Sequence, residues 1–348
     1  MEIQRERIAW IDDIKGFMLI LVCLAHWEIL FPPLSFLSCM KVPMFFFLSG
    51  VLISSKSESL FVFVRKKVKS LLLPYVALSL LFMVLDPRIY SGSLLSEVPF
   101  IKESSGILGI NSDCHNMGQR VLWYLTRIFI LGKSGPMTGP LWFVLALFIS
   151  QLSFFMIRKI FSSSICIVAS TLMNLIVGWM LYAFEFHLPL NLDAMFTATF
   201  YIGMGYMAKP YLYMLEGLCL RTFFVGCGAL MLYLIGIQIN GGFDLFNNAI
   251  YNIWGFILTS VSGVIVIMLF FKNWNHIPYY TYLSKACSFL AQNSYLLLCT
   301  HYMAIIYTHC FFSKISYPSL LYISFTLLLM FIFKFIVGRH FRWMIGRA

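Results

Sequence analysis

The chain has 348 residues, of which 60% are hydrophobic and 11% charged, and its mean hydropathy is +0.85. These proportions exclude a soluble globular domain and indicate a polytopic membrane protein. The formal net charge of +11 reflects basic residues gathered on one side of a membrane. It is therefore a topological signal and gives no reason to expect a nucleic-acid partner.

Apolar stretches able to cross about 30 Å of hydrocarbon recur along the whole sequence. They predict an all-α membrane helix bundle with about ten transmembrane helices, at 14–32, 34–54, 71–86, 140–157, 160–183, 192–209, 222–238, 249–271, 290–310 and 318–337. With the N-terminus inside, most of the 25 Lys and Arg fall on cytoplasmic segments. Both termini are thus expected in the cytoplasm, and the protein in the cell inner membrane as a multi-pass protein. The first apolar stretch reads as a retained signal anchor. Residues 1–348 are expected to form a single integral domain with an outer loop at about 86–139. That loop bears Glu97, Glu103, Asp113 and His115, and its middle, Val121 to Leu131, is apolar enough for a re-entrant or interfacial helix. The nine Cys show no metal-ligand spacing, and nothing argues that Cys39 and Cys114, expected outside, are paired. No metal site is expected.

The first helix carries three ionisable groups that lipid would not tolerate. Lys15 and His26 are eleven residues apart, which at about 100° per residue returns them to one face, roughly 16 Å apart along the axis. Asp12 lies at the i,i+3 position from Lys15, a spacing that allows opposite charges to pair. Charges inside a membrane span face the bundle interior and mark function. Imidazole suits proton abstraction near neutral pH, so His26 is the first candidate for a general base, with Lys15 holding an anion and Asp12 steadying Lys15.

Further along, Arg65, Lys66, Lys67 and Lys69 precede Pro74 and Tyr75, placing cations at the cytoplasmic start of the third helix. Such a cluster can grip the phosphates of a nucleotide-like donor such as coenzyme A, or simply anchor the helix at the membrane surface. Asp193 begins the sixth helix with Thr197 on its face, an arrangement suited to a substrate hydroxyl, while Asp244 reads as a cap in an outer loop. In the ninth helix Ser294 and His301 are seven residues apart on one face, which suggests a wall of a wet cavity or interhelical hydrogen bonding. Walker, GxGxxG, GxSxG and HExxH motifs do not occur.

Six segments taken in order resemble the integral-membrane acyltransferase family three, especially its fucose 4-O-acetylase-like branch. They are Trp10 through Lys15 and Gly16 to His26, Pro43 to Ser49 and Gly50, the basic run into Pro74 and Tyr75, Gly139 to Trp142 and Phe143, Phe200 to Gly203 and Gly205, and Ser294 to His301. The resemblance spans almost the whole chain. It implies a membrane O-acyltransferase that moves acetyl from cytoplasmic acetyl-CoA to a hydroxyl of a cell-surface polysaccharide or its lipid-linked precursor. Many members have Arg where this chain has Lys15, which keeps the charge without the bidentate fork. On this reading His26 takes the sugar proton or carries the acyl group, aided by Lys15 and Asp12. Lys66, Lys67 and Lys69 contact coenzyme A phosphates, and Ser49, Trp142 and His301 line the cavity. The alternative is a transporter or flippase for a lipid-linked sugar, in which the same charges form a translocation path.

Overall fold

The computed structural model describes residues 9–27, 36–54, 58–90, 116–217, 219–276, 278–311 and 318–345. The outer-loop residues Glu97, Glu103, Asp113, Cys114 and His115 lie outside the described residues. The fold is an all-α polytopic bundle. Its principal helices are α1 (Ala9–His26), α2 (Pro43–Val51), α3 (Leu60–Leu85), α4 (Met117–Thr126), α5 (Trp142–Ile160), α6 (Ser164–Ala183), α7 (Leu192–Ala208), α8 (Leu220–Asn240), α9 (Ile253–Asn273), α10 (Tyr280–Gln292), α11 (Ser294–Phe311) and α12 (Pro318–His340). An isolated bridge joins Asp244 to Ala249.

Among the described residues, six helices are long and apolar enough to span a membrane: α3, α5, α6, α8, α9 and α12. The segments buried to 56% in α5 and α9, against 22% in α6, α8 and α12, put the first two inside the bundle and the other three at its lipid-facing rim. Four of the ten expected spans depart from that description, each for a local reason. α1 has 18 residues but carries Asp12, Asp13 and Lys15. The expected second span is broken. A 3-10 turn at Phe36–Met40 precedes α2, which is only 9 residues long and starts at Pro43, where the missing N–H costs no helical hydrogen bond. α7 has 17 residues, and α11 is diluted by histidine, tyrosine and threonine. Short and broken helices of this kind are tolerated where protein, not lipid, surrounds them.

The third span corrects the expected 71–86. It begins at Leu60, with Ser59 Oγ accepting the Val62 N–H, so the basic run lies within the helix and not at its start. The helix widens to a π-turn at Val68–Leu72 before Pro74. Pro74 has no N–H to offer the Ser70 carbonyl four residues back, and the Tyr295 phenol donates to that carbonyl at 2.7 Å. The apolar middle of the outer loop is indeed helical: α4 starts in a capping box of Asn116 with Gln119 and continues into a π-turn at Arg127–Leu131. α10, by contrast, falls where only a connecting loop was expected.

Backbone contact between helices is set by glycine. A Cβ on Gly50 would stand 2.0 Å from the Ile202 carbonyl oxygen, and one on Gly205 the same distance from that of Phe47, so α2 and α7 approach reciprocally. A Cβ on Gly16 would collide with the Cys287 backbone at 2.1 Å, which fixes the crossing of α1 and α10. Small residues serve membrane helices in this way because close backbone approach supplies the dispersion energy that water does not. α1 packs against α2, α9, α10 and α11. Its residues Ile11, Ile14, Met18 and Leu21 join one apolar cluster, while Leu19, Val22 and Cys23 join another, so α1 forms the partition between them.

Candidate active site

A cavity of about 980 Å³ opens at the end of the bundle that carries Lys15, between α1, α2, α3, α5 and α11. Among the described residues its charged lining comprises Lys15, Lys66, Lys67 and Arg158 against one carboxylate, Glu58, which accepts a hydrogen bond from Lys66. Arg158 is held by donation from Nη1 to the Ser54 carbonyl at 2.9 Å and lies over the Tyr206 ring. An aromatic pair stands among these cations: Phe63 stacks on Phe155 with centroids 4.3 Å apart, and the Lys67 ammonium lies 5.5 Å from the Phe63 ring. Deeper in, Gln151 Nε2 donates to Ser49 Oγ at 2.5 Å, and both residues line the wall.

Helical periodicity continues the wall past the cavity. Lys15 and Leu19 of α1 line it, as do Ser294 and Leu298 of α11. On the following turns of these two helices, His26 and His301 meet. His26 Nδ1 is 3.1 Å from His301 Nε2, and the rings lie near-parallel, edge to edge, with centroids 5.2 Å apart and 22° between planes. Tyr302 stands edge-on to both, at 5.0 Å from His26 and 5.7 Å from His301. The Tyr302 ring in turn occupies the space a side chain at Gly139 would take, its nearest carbon 2.9 Å from an ideal Cβ there. His301 is fully buried, with Nδ1 2.6 Å from the Leu297 carbonyl oxygen, the acceptor one turn back on its own helix.

The structure thus gathers some expected site residues and separates others. Lys15, Lys66, Lys67 and Ser49 share the cavity, whereas His26 and His301 do not line it: they meet beyond Leu19 and Leu298 on the same faces of α1 and α11, so the expected wall position of His301 is corrected. Lys69 is exposed on α3 and does not line the cavity, whereas Ser70 does. Trp142 is buried edge-on against Phe246, 5.3 Å between centroids, and its neighbour Phe143 lines the cavity in its place. Asp12 is half-buried one turn before Lys15. Asp193 is buried elsewhere, 3.4 Å from His187 Nδ1, and Thr197 donates to Asn248 Oδ1 at 2.7 Å. Asp244 accepts from the Phe246 N–H and the Asn247 amide, an Asx-type cap within its own loop.

Several residues escaped the sequence reading, among them Gln151, Phe63, Phe155 and Tyr302, and two are charged. Asp13 is the fully buried carboxylate of α1. It accepts from Trp274 Nε1 at 3.1 Å and from Ser284 Oγ at 2.7 Å, which ties α1 to α10 and to the turn after α9. Periodicity held the clue, since Asp13 lies one turn before Gly16, on the face that meets α10, and not on that of Lys15. Arg158 closes a span, where a sequence shows only one more of the basic residues on cytoplasmic segments, yet it forms a wall of the cavity.

An all-α membrane bundle with a basic, partly aromatic cavity and, farther along the same two helices, a histidine pair in which His301 is fully buried and His26 half-buried is the class that fold and site define. The family model described as an acyltransferase domain matches residues 8–339, and the chain belongs to that family, acyltransferase family 3. Comparison with curated proteins gives no match. Comparison with solved structures likewise gives none. The protein is a membrane acyltransferase; the transporter alternative is not favoured.

Proposed function

We propose that this acyltransferase moves acetyl from acetyl-CoA to a hydroxyl of a cell-surface polysaccharide or its lipid-linked precursor, in the cell inner membrane with both termini cytoplasmic. The observation that carries the reading is the basic cavity on α1 and α11, with the His26–His301 contact farther along the same two helices. Four cations against one carboxylate suit a polyphosphate, and the stacked Phe63 and Phe155 offer a face for the adenine. The apolar lining at Leu19 and Leu298 suits the pantetheine arm, which in this reading brings the thioester toward the histidines.

In this account Lys66, Lys67 and Arg158 hold the donor's phosphates, and Lys15, with Asp12 beside it, holds a phosphate or the thioester carbonyl farther in. Lys69 serves as a membrane-surface charge. Ser49, with Gln151, orients the pantetheine. His26 takes the acceptor hydroxyl's proton as that oxygen bonds to the acetyl carbon. The proton then passes to the coenzyme A sulfur as the carbon–sulfur bond breaks, leaving an ester and a free thiol. Asp193 and Trp142 belong to the scaffold on the acceptor side.

Labelled acetyl-CoA incubated with the purified protein in liposomes tests the reading. Label is expected in a polysaccharide or lipid-linked sugar acceptor, and the Lys66→Ala/Lys67→Ala variant is expected to show a KM for acetyl-CoA raised about tenfold or more with kcat little changed. Absence of label in any glycan acceptor, with the protein folded and donor bound, would refute acetyl transfer.

A further inference from the structure

We propose that His301 is a positioning residue that fixes the tautomer of His26, so that His26 meets the acceptor through a bare Nε2. The inference rests on the reading of His26 as the base, and it concerns the residue the sequence placed as a cavity-wall contact.

The argument is one of donors and acceptors. A carbonyl oxygen can only accept, so at 2.6 Å from the Leu297 oxygen His301 Nδ1 must carry its hydrogen. In a neutral imidazole the other nitrogen then has a lone pair and no hydrogen. His301 Nε2 therefore accepts, and its partner at 3.1 Å, His26 Nδ1, must donate. That places the hydrogen of His26 on Nδ1 and leaves its Nε2 free to take a proton. The relay runs from the Leu297 carbonyl through His301 to His26, and it is read from heavy-atom positions together with the fixed role of the carbonyl.

Both ring nitrogens of His301 are used in this relay and its side chain is fully buried, so no atom remains with which to recognise substrate. The surrounding packing holds the pair in register. The two rings lie nearly parallel, Tyr302 braces both edge-on, and Gly139 leaves room for Tyr302. An orienting acceptor behind a catalytic imidazole is worth much because the wrong tautomer presents a hydrogen where a lone pair is needed. It also stabilises the imidazolium that forms once the proton is taken, since that species still donates from Nδ1.

Nitrogen solid-state NMR of protein labelled at the histidine ring nitrogens tests the assignment, with the His26 signals identified by their loss in His26→Asn. The expected wild-type state has a protonated Nδ1 and a bare Nε2 on His26. His301→Gln, which keeps an acceptor near the Nε2 position, is expected to retain that tautomer in large part. His301→Leu is expected to lose it and to lower kcat about tenfold or more with the KM for acetyl-CoA unchanged. Should His301→Leu fail to fold, the wild-type and His301→Gln spectra decide the matter alone. A wild-type His26 protonated on Nε2 would overturn the proposal, as would equal kcat in folded His301→Gln and His301→Leu. A wild-type protein that transfers no acyl group would instead overturn the role of His26 as base, and the spectra would still decide the tautomer.

Discussion

At the scale of the residue, α1 contains two carboxylates with different work to do. Asp12 is half-buried beside the cavity end, while Asp13 is sealed in the core with both oxygens committed to Trp274 and Ser284. A buried carboxylate that accepts two hydrogen bonds cannot be exchanged for its amide without turning one acceptor into a donor. The Asp13→Asn variant should therefore lose about 1–3 kcal/mol of stability, measured as a lowered thermal midpoint in detergent. An unchanged midpoint would show that the two bonds contribute little. The sequence reading set Lys15 and His26 on one face of α1, because eleven residues is close to three helical turns, and α1 runs unbroken through both. It weighed Asp12 over Asp13 because i,i+3 spacing is visible in a sequence and a tertiary partner such as Trp274, 261 positions away, is not.

At the scale of the element, five of the six long apolar helices were legible to within a few residues, since unbroken hydropathy is a strong signal, whereas α3 begins eleven residues before its expected start. The interior elements were less so. α2 is cut short at Pro43, the basic run lies inside α3, and α10 was missed because Cys287 is the lone buried position along its length. The segments Phe200 to Gly205 and Pro43 to Gly50, which carried part of the family resemblance, are the two faces of one close helix crossing. A methyl group at Gly205 must displace backbone, so Gly205→Ala should lower the thermal midpoint by several degrees. Gly228 of α8 meets nothing within 4 Å, and Gly228→Ala should leave the midpoint unchanged or raise it through helix propensity, worth about 1 kcal/mol. Equal effects at both positions would contradict the packing role given to Gly205.

At the scale of the whole molecule, α1 joins the two functional regions: Lys15 at the open cavity, His26 about 16 Å along the axis, and α11 running alongside with Ser294 and His301. The sequence showed each helix's polar stripe separately. What it could not show was that the stripes meet, since the pairing of His26 with His301 spans 275 positions. Nor could it tell Phe143, Gln151 and Arg158, which line the cavity, from ordinary residues of an apolar span. The central claim is that His26, farther along α1, acts as the base of the transfer while the basic cavity holds the donor. Its most direct test is the rate of labelled acetyl transfer by purified His26→Ala compared with wild type, alongside acetyl-CoA affinity. The account predicts a loss of at least about a hundredfold in kcat with donor affinity retained; transfer at the wild-type rate by His26→Ala would contradict it.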